Sequence, residues 1–87
     1  MLILKDFYAD WCGPCVAMHP VLEELLPKYS GKIEMVRIDV DQNQAESQKY
    51  GVMSIPTLVL EKDGKELDRK IGLQQESTLK EWLDSHL

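Results

Sequence analysis

Trp11-Cys12-Gly13-Pro14-Cys15 holds both cysteines of the chain, directly after the apolar run Leu2 to Tyr8. A bridge between Cys12 and Cys15 would close so short a loop that it removes very little chain entropy from the unfolded state, which makes it a poor structural staple. Its value must lie in opening and closing. A Cys-x-x-Cys beside a βαβ pattern, in a chain with no other cysteine, is a redox motif on chemical grounds.

Upstream of the motif, residues 2 to 8 are interrupted only by Lys5 and Asp6, and read as a buried central strand. Downstream, Cys15, Met18, Leu22, Leu25, Leu26 and Tyr29 recur at helical spacing and predict a helix from Gly13 to about Tyr29. Pro14 suits the first turn. Pro20 removes a backbone donor from the helix interior, so a kink is expected near Val16 to Pro20, and Pro27 should loosen the last turn. Ser30-Gly31 ends the element, and Ile33 to Val40 reads as a second strand. Asp41 to Tyr50, closed by Gly51, reads as a short surface helix. Thr57 to Glu61 and Lys65 to Ile71 flank Asp63-Gly64, the strongest hairpin signal in the chain. After Gly72, the spacing of Leu79, Trp82, Leu83 and His86 predicts an amphipathic helix to the C-terminus. The order is βαβα-ββα. A right-handed crossover makes the first two strands parallel, and the hairpin completes a four-stranded mixed sheet with helices on both faces, an α/β fold.

The 87 residues are enough for one domain, residues 1–87, that folds without metals or structural bridges. With 44% apolar and 29% charged residues, the composition is that of an ordinary soluble globular protein. A net charge of −5 opposes nucleic acid and anionic membrane as partners, because neither phosphate neutralisation nor a polybasic stripe is available. Protein or small-thiol partners fit better. The short apolar run after Met1 is broken by Lys5 and Asp6, so neither a signal-peptide core nor a spanning helix is expected. A cytoplasmic monomer is the resulting expectation, in a compartment that keeps a working dithiol reduced.

Thiolate is the nucleophile, so the first cysteine is expected to be exposed and its charge stabilised. Cys12 falls at the start of the first helix, where unpaired backbone N–H groups and the helix dipole favour an anion, and its thiol pKa should fall below that of a free thiol. Cys15, one turn deeper, can attack a mixed disulfide formed at Cys12 and release reduced substrate. Gly13-Pro14 leads the chain into the helix with a preset φ. Asp6 lies in a strand buried on both faces, so its carboxylate needs a role or a partner.

These residues resemble the thioredoxin family over essentially the whole chain. The landmarks are Trp11 to Cys15, Asp6-Phe7 before them, Pro20, Ile55-Pro56-Thr57 before the hairpin, Asp63-Gly64 in its turn, and Gly72 before the last helix. The resemblance implies the thioredoxin fold without the extra N-terminal strand and helix of longer members. It implies a dithiol–disulfide oxidoreductase that reduces protein disulfides, with Cys12 as nucleophile and Cys15 as resolving thiol. It makes Asp6 a buried acid/base group that helps deprotonate Cys15; the alternative is a hydrogen-bonded structural carboxylate. Ile55-Pro56-Thr57 matches the family's cis-proline loop, which offers backbone to an extended substrate. Trp11, Gly13, Pro14 and Gly72 complete a flat apolar docking surface, Gly72 by letting a backbone approach closely. The implied partners are disulfide-containing proteins and a separate electron donor such as a thioredoxin reductase. No bound cofactor is expected, since the chain has no Gly-rich dinucleotide fingerprint and NADPH or flavin would act only through the donor.

Two positions depart from the family pattern. Arg37 stands where lysine is common, and a guanidinium stays charged when buried; it either pairs with Asp6 or points to the surface. Val16 follows the second cysteine where a cation is frequent, which makes the docking face more apolar. Three other readings compete. A glutaredoxin-type reductase of glutathione mixed disulfides fits the length, although glutaredoxins usually carry Pro-Tyr between the cysteines. A metal site built from Cys12, Cys15 and His19 lacks a near fourth ligand, because only His86 remains, and His19 reads as a helix-surface residue. A non-catalytic interaction module is opposed by the intact dithiol.

Overall fold

Seven residues, Leu2–Tyr8, form the inner strand β1 of a four-stranded sheet in the computed structural model, which describes all of residues 1–87. On one side β1 pairs in parallel with β2 (Ile33–Asp39), and on the other it pairs antiparallel with β3 (Thr57–Lys62). β3 turns through Asp63 and Gly64, both at positive φ, into β4 (Lys65–Ile71). Positive φ at both central residues is the geometry that favours Asp-Gly in a tight hairpin. The strand order is β2-β1-β3-β4, the mixed sheet expected from the sequence.

Period-two alternation sorts the central strands onto two faces. Leu2, Leu4, Ile33, Leu58 and Leu60 pack with Met18, Leu22 and Leu25 of α1 (Gly13–Leu25) and with Leu79, Trp82 and Leu83 of α3 (Glu76–Ser85). Phe7, Ile38 and Val59 face the other way, toward Tyr50 and Val52 at the end of α2 (Gln44–Lys49). Helices therefore cover both faces. Asp6 continues the Leu2–Leu4 face toward α1, whereas Lys5 belongs to the α2 face.

Several boundaries differ from the sequence expectation. The long helix ends at Leu25 and the chain continues as a tight 3₁₀ turn, Leu26–Tyr29, with Pro27 in its opening turn, where it loses no needed donor. α1 runs through Pro20 as one helix, although that residue has no N–H to return to the Val16 carbonyl. The expected helix over Asp41 to Tyr50 shortens to Gln44–Lys49, because the Asp39 carboxylate binds the Asp41 N–H at 2.9 Å and the Asn43 amide binds the Asp39 carbonyl at 3.1 Å. Local side-chain bonds of this kind favour a turn over helix. No helix is long and apolar enough to cross a membrane.

Candidate active site

The chain leaves the C-terminal end of β1 and enters α1 through Ala9 to Cys12, so the dithiol lies at a helix N-terminus. Cys12 is the N-cap: its backbone is extended, its N–H donates to the Ala9 carbonyl at 3.2 Å, and its carbonyl accepts from Val16 at 3.0 Å. Its Sγ accepts the Cys15 N–H at 3.2 Å. That donor is one of the first-turn N–H groups with no partner inside the helix, so it can stabilise negative charge on sulfur. Cys12 and Cys15 are joined as a disulfide with Cα atoms 5.2 Å apart.

One expectation is corrected here. Cys12 was expected to be exposed, yet only 5% of its surface is open in the bridged state. Both sulfurs belong to a small cluster with Ala9, against which Tyr8, Val40 and Ile55 pack, and Cys12 Sγ lies 3.8 Å from the Ile55 carbonyl oxygen. The residues that flank the bridge, Trp11, Gly13 and Pro14, are exposed instead.

The chain segments bearing the other expected site residues converge on this point. The Ile55–Pro56 bond is cis, and the Thr57 hydroxyl donates to the Ser54 carbonyl at 2.6 Å. Gly72 donates its N–H to the Pro56 carbonyl at 2.8 Å, tying the end of β4 to the proline loop. Nothing lies within 4 Å of where a Gly72 Cβ would sit, but its φ of 91° is one that L side chains rarely adopt. Within the chain itself, glycine is thus required by conformation and not by crowding. Trp11 is 71% exposed, and its indole N–H donates to Asp41 Oδ2 at 2.7 Å. Trp11, Val40, Val52, Met53 and Ile55 line an open groove of about 380 Å³ beside the disulfide. Met53, at 98% exposed, was not singled out in the sequence, since a lone methionine between turn residues carries no pattern. Val16, Ile71 and Leu73 add further exposed apolar surface.

Asp6 is 2% exposed and accepts one charged hydrogen bond, from Arg37 Nε at 3.2 Å. Burial pushes its carboxyl pKa above the ordinary 3.8, while the guanidinium beside it pulls the other way without cancelling the shift. Arg37 also lies over the Tyr8 ring, 3.8 Å from its centroid, so it is held from two sides. This settles which way Arg37 points: toward Asp6. A smaller cavity beside the pair is lined by Tyr8, Asp10, Cys15, His19 and Arg37. His19, read from the sequence as a helix-surface residue, is partly exposed on α1 beside Glu23 and also lines this cavity.

A second polar cluster on the opposite face escaped the sequence reading. Lys5 Nζ reaches the Tyr50 hydroxyl at 2.8 Å, Glu46 at 3.2 Å and Glu61 at 3.4 Å, and the Tyr50 hydroxyl donates to Glu61 at 2.6 Å. It satisfies the buried Glu61 and anchors α2, and it lies on the side of the sheet away from α1. No group of three His, Cys, Asp or Glu side chains converges in metal-holding geometry, and His86 lies at the far end of α3 beside Asp68.

Comparison with known proteins agrees with this geometry. The family model described as thioredoxin matches residues 1–85. The chain is 51% identical over 84 residues to the thioredoxins of Staphylococcus aureus strains Mu50 / ATCC 700699 and MW2, covering 97% of this chain and 81% of each relative. A solved structure of a mutant thioredoxin from Halobacterium salinarum NRC-1 superposes with a TM-score of 0.88 at 46% identity, covering 97% of this chain and 73% of that one.

Proposed function

Since the chain belongs to the thioredoxin family and is a dithiol–disulfide oxidoreductase, we propose that it reduces protein disulfides with Cys12 as attacking thiolate and Cys15 as resolving thiol. The observation that carries this assignment is the Cys15 N–H on Cys12 Sγ at the helix N-terminus, a charge-stabilising contact that only the first sulfur receives. In the reduced protein, Cys12 thiolate attacks one sulfur of a target disulfide, forming a mixed disulfide and expelling the other target sulfur as thiolate. Cys15 then gives its proton to the Asp6 carboxylate and attacks Cys12 Sγ. The mixed disulfide breaks, the second target thiolate leaves, and Cys12–Cys15 is oxidised as the target is reduced by two electrons.

Asp6 suits the acceptor role because its raised pKa makes it a stronger base than a solvated carboxylate. Trp11, Gly13, Pro14, Ile55, Pro56, Thr57 and Gly72 form the docking surface, where an extended target segment lies against the proline loop. The bridge itself is the redox group, so no bound cofactor is required, and electrons return from a separate reductase. The partners are that reductase and proteins with accessible disulfides, met by a monomer in the cytoplasm. A glutaredoxin-type reading is less favoured, because the dipeptide between the cysteines is Gly13-Pro14.

Trapping tests the order of attack. Cys15→Ser should accumulate a mixed disulfide through Cys12 when mixed with a protein disulfide such as insulin, and Cys12→Ser should abolish reduction. Capture through the second cysteine would overturn the assignment.

A further inference from the structure

Met53 is 98% exposed, yet its backbone is held on both sides. The Val52 N–H donates to the Ser47 carbonyl at 2.9 Å, and the Ser54 carbonyl accepts the Thr57 hydroxyl at 2.6 Å. The side chain thus stands free because the chain presents it, and not because its loop lacks anchors. It lines the groove with Trp11, Val40, Val52 and Ile55, just upstream of the Ile55 carbonyl that lies 3.8 Å from Cys12 Sγ. A single exposed apolar residue is ordinary on a protein surface, but one continuous with an apolar groove extends that surface. An unbranched, flexible thioether also conforms to apolar side chains of different shapes.

Its sulfur also stands apart among the four methionines of the chain. Met18 is 1% exposed and Met35 is partly buried against the same core, so both are shielded from a dissolved oxidant. Met1 is 66% exposed but lines a depression with Lys62 and His86, at the other end of β1 from the dithiol. Only Met53 joins an open thioether to the docking groove. Because it touches so little of the chain, a change in its polarity leaves the fold alone and acts where a target covers it. A covered thioether is apolar surface removed from water, whereas a sulfoxide oxygen in its place is a strong acceptor that loses its water.

We propose that Met53 is an oxidation site at which a hydroperoxide weakens the docking of target proteins without touching the dithiol. The thioether sulfur attacks one oxygen of hydrogen peroxide, an S–O bond forms as the O–O bond breaks, and the products are methionine sulfoxide and water. Sulfur loses two electrons and the peroxide gains them. The groove then carries a polar group where an apolar target side chain would lie. Cys12 and Cys15, joined in the bridged state, offer no thiolate to the peroxide, so the two sulfur centres answer different oxidants. The proposal rests on the docking surface assigned above, which it extends by one residue.

The test treats the bridged protein with a limited amount of hydrogen peroxide, removes the peroxide, and locates sulfoxide by peptide mass spectrometry. Met53 should be converted ahead of Met18 and Met35. Dithiothreitol then opens the bridge and leaves the sulfoxide in place. Reduction is followed with a peptide whose cystine is flanked by leucines, and with bis(2-hydroxyethyl) disulfide, which is too small to cover the groove. The second-order rate constant for the peptide should fall by about tenfold in the treated parent, as burial of one unpaired acceptor implies, while that for the small disulfide stays as it was. Met53→Leu should lose nothing on peroxide treatment relative to its own untreated form, and Met53→Gln should show the peptide-selective loss without peroxide. A treated parent that reduces the peptide at its untreated rate, or loses equally with both disulfides, overturns the Met53 proposal and leaves the reductase reading intact. So does a Met53→Leu variant that loses as much as the parent, or a Met53 that resists oxidation while Met18 or Met35 is converted. If the untreated parent reduces neither disulfide, the reductase reading falls and the Met53 proposal falls with it.

Discussion

Arg37 Nε lies 3.2 Å from Asp6 Oδ2, and the two residues are register partners on the parallel strands β1 and β2. The same register pairs Leu2 with Ile33 and Leu4 with Met35, so an apolar ladder on the α1 face ends, at its third rung, in a buried carboxylate and its guanidinium. The carboxylate is thus fixed on the face that also carries α1, whose first turn contains Cys15.

The burial of Asp6 predicts a pH-dependent stability. Its folded pKa is raised above the ordinary 3.8, so the folded state binds the proton more tightly than the unfolded chain. The stability contributed by this protonation is fully present below the unfolded value and is lost as pH rises through the folded one. Asp6→Asn should therefore be more stable than the parent at pH 7, on the order of 1–2 kcal/mol, since the amide avoids the desolvation of a charge. The gain should vanish toward pH 3. Urea unfolding of both proteins at several pH values checks it, and equal stability at pH 7 would contradict it.

Arg37 opposes that shift, so removing it should enlarge it. Arg37→Met keeps a long unbranched side chain but deletes the guanidinium that lies over Tyr8 and favours the Asp6 carboxylate. The acid limb of the resolution rate should move to higher pH. The pH dependence of the quenched mixed-disulfide yield reports this, and a limb that does not move would show that Arg37 has no influence on the reacting proton.

Tyr50→Phe should destabilise the protein by about 1–3 kcal/mol, because it removes the hydroxyl that binds both Lys5 and the buried Glu61. The disulfide exchange itself should be little changed, since the cluster lies on the α2 face. Denaturant unfolding combined with insulin reduction separates the two effects. A drop in activity with intact stability would refute the purely structural role.

Gly72→Ala would force a methyl-bearing residue to a φ of 91°, at a cost of roughly 1–3 kcal/mol. The Gly72 N–H that holds the Pro56 carbonyl would be displaced. Thermal unfolding should fall, and the KM for a protein disulfide should rise more than kcat changes. Unaltered melting and KM would show that the backbone adapts.

What could be read from the sequence was local. The Cys12/Cys15 dithiol, the strand before it, the helix after it and the Asp63-Gly64 turn are each written within about ten residues, where periodicity and turn chemistry act directly. The mixed sheet followed from chaining those signals with one handedness rule. The unusual burial demanded of Asp6 could be read the same way, from one carboxylate in an apolar strand. What only the tertiary structure decided depends on residues far apart in the chain. Arg37 turns inward because parallel register puts it on the Asp6 face. Cys12 is covered because Val40 and Ile55, from two other segments, pack over the cluster it shares with Cys15. Lys5 meets Tyr50 and Glu61 across the α2 face, and His19, partly exposed on α1, also lines a cavity with Cys15 and Arg37. Register, packing across elements and the shape of the space between them are pair properties of distant residues, and no local pattern encodes them.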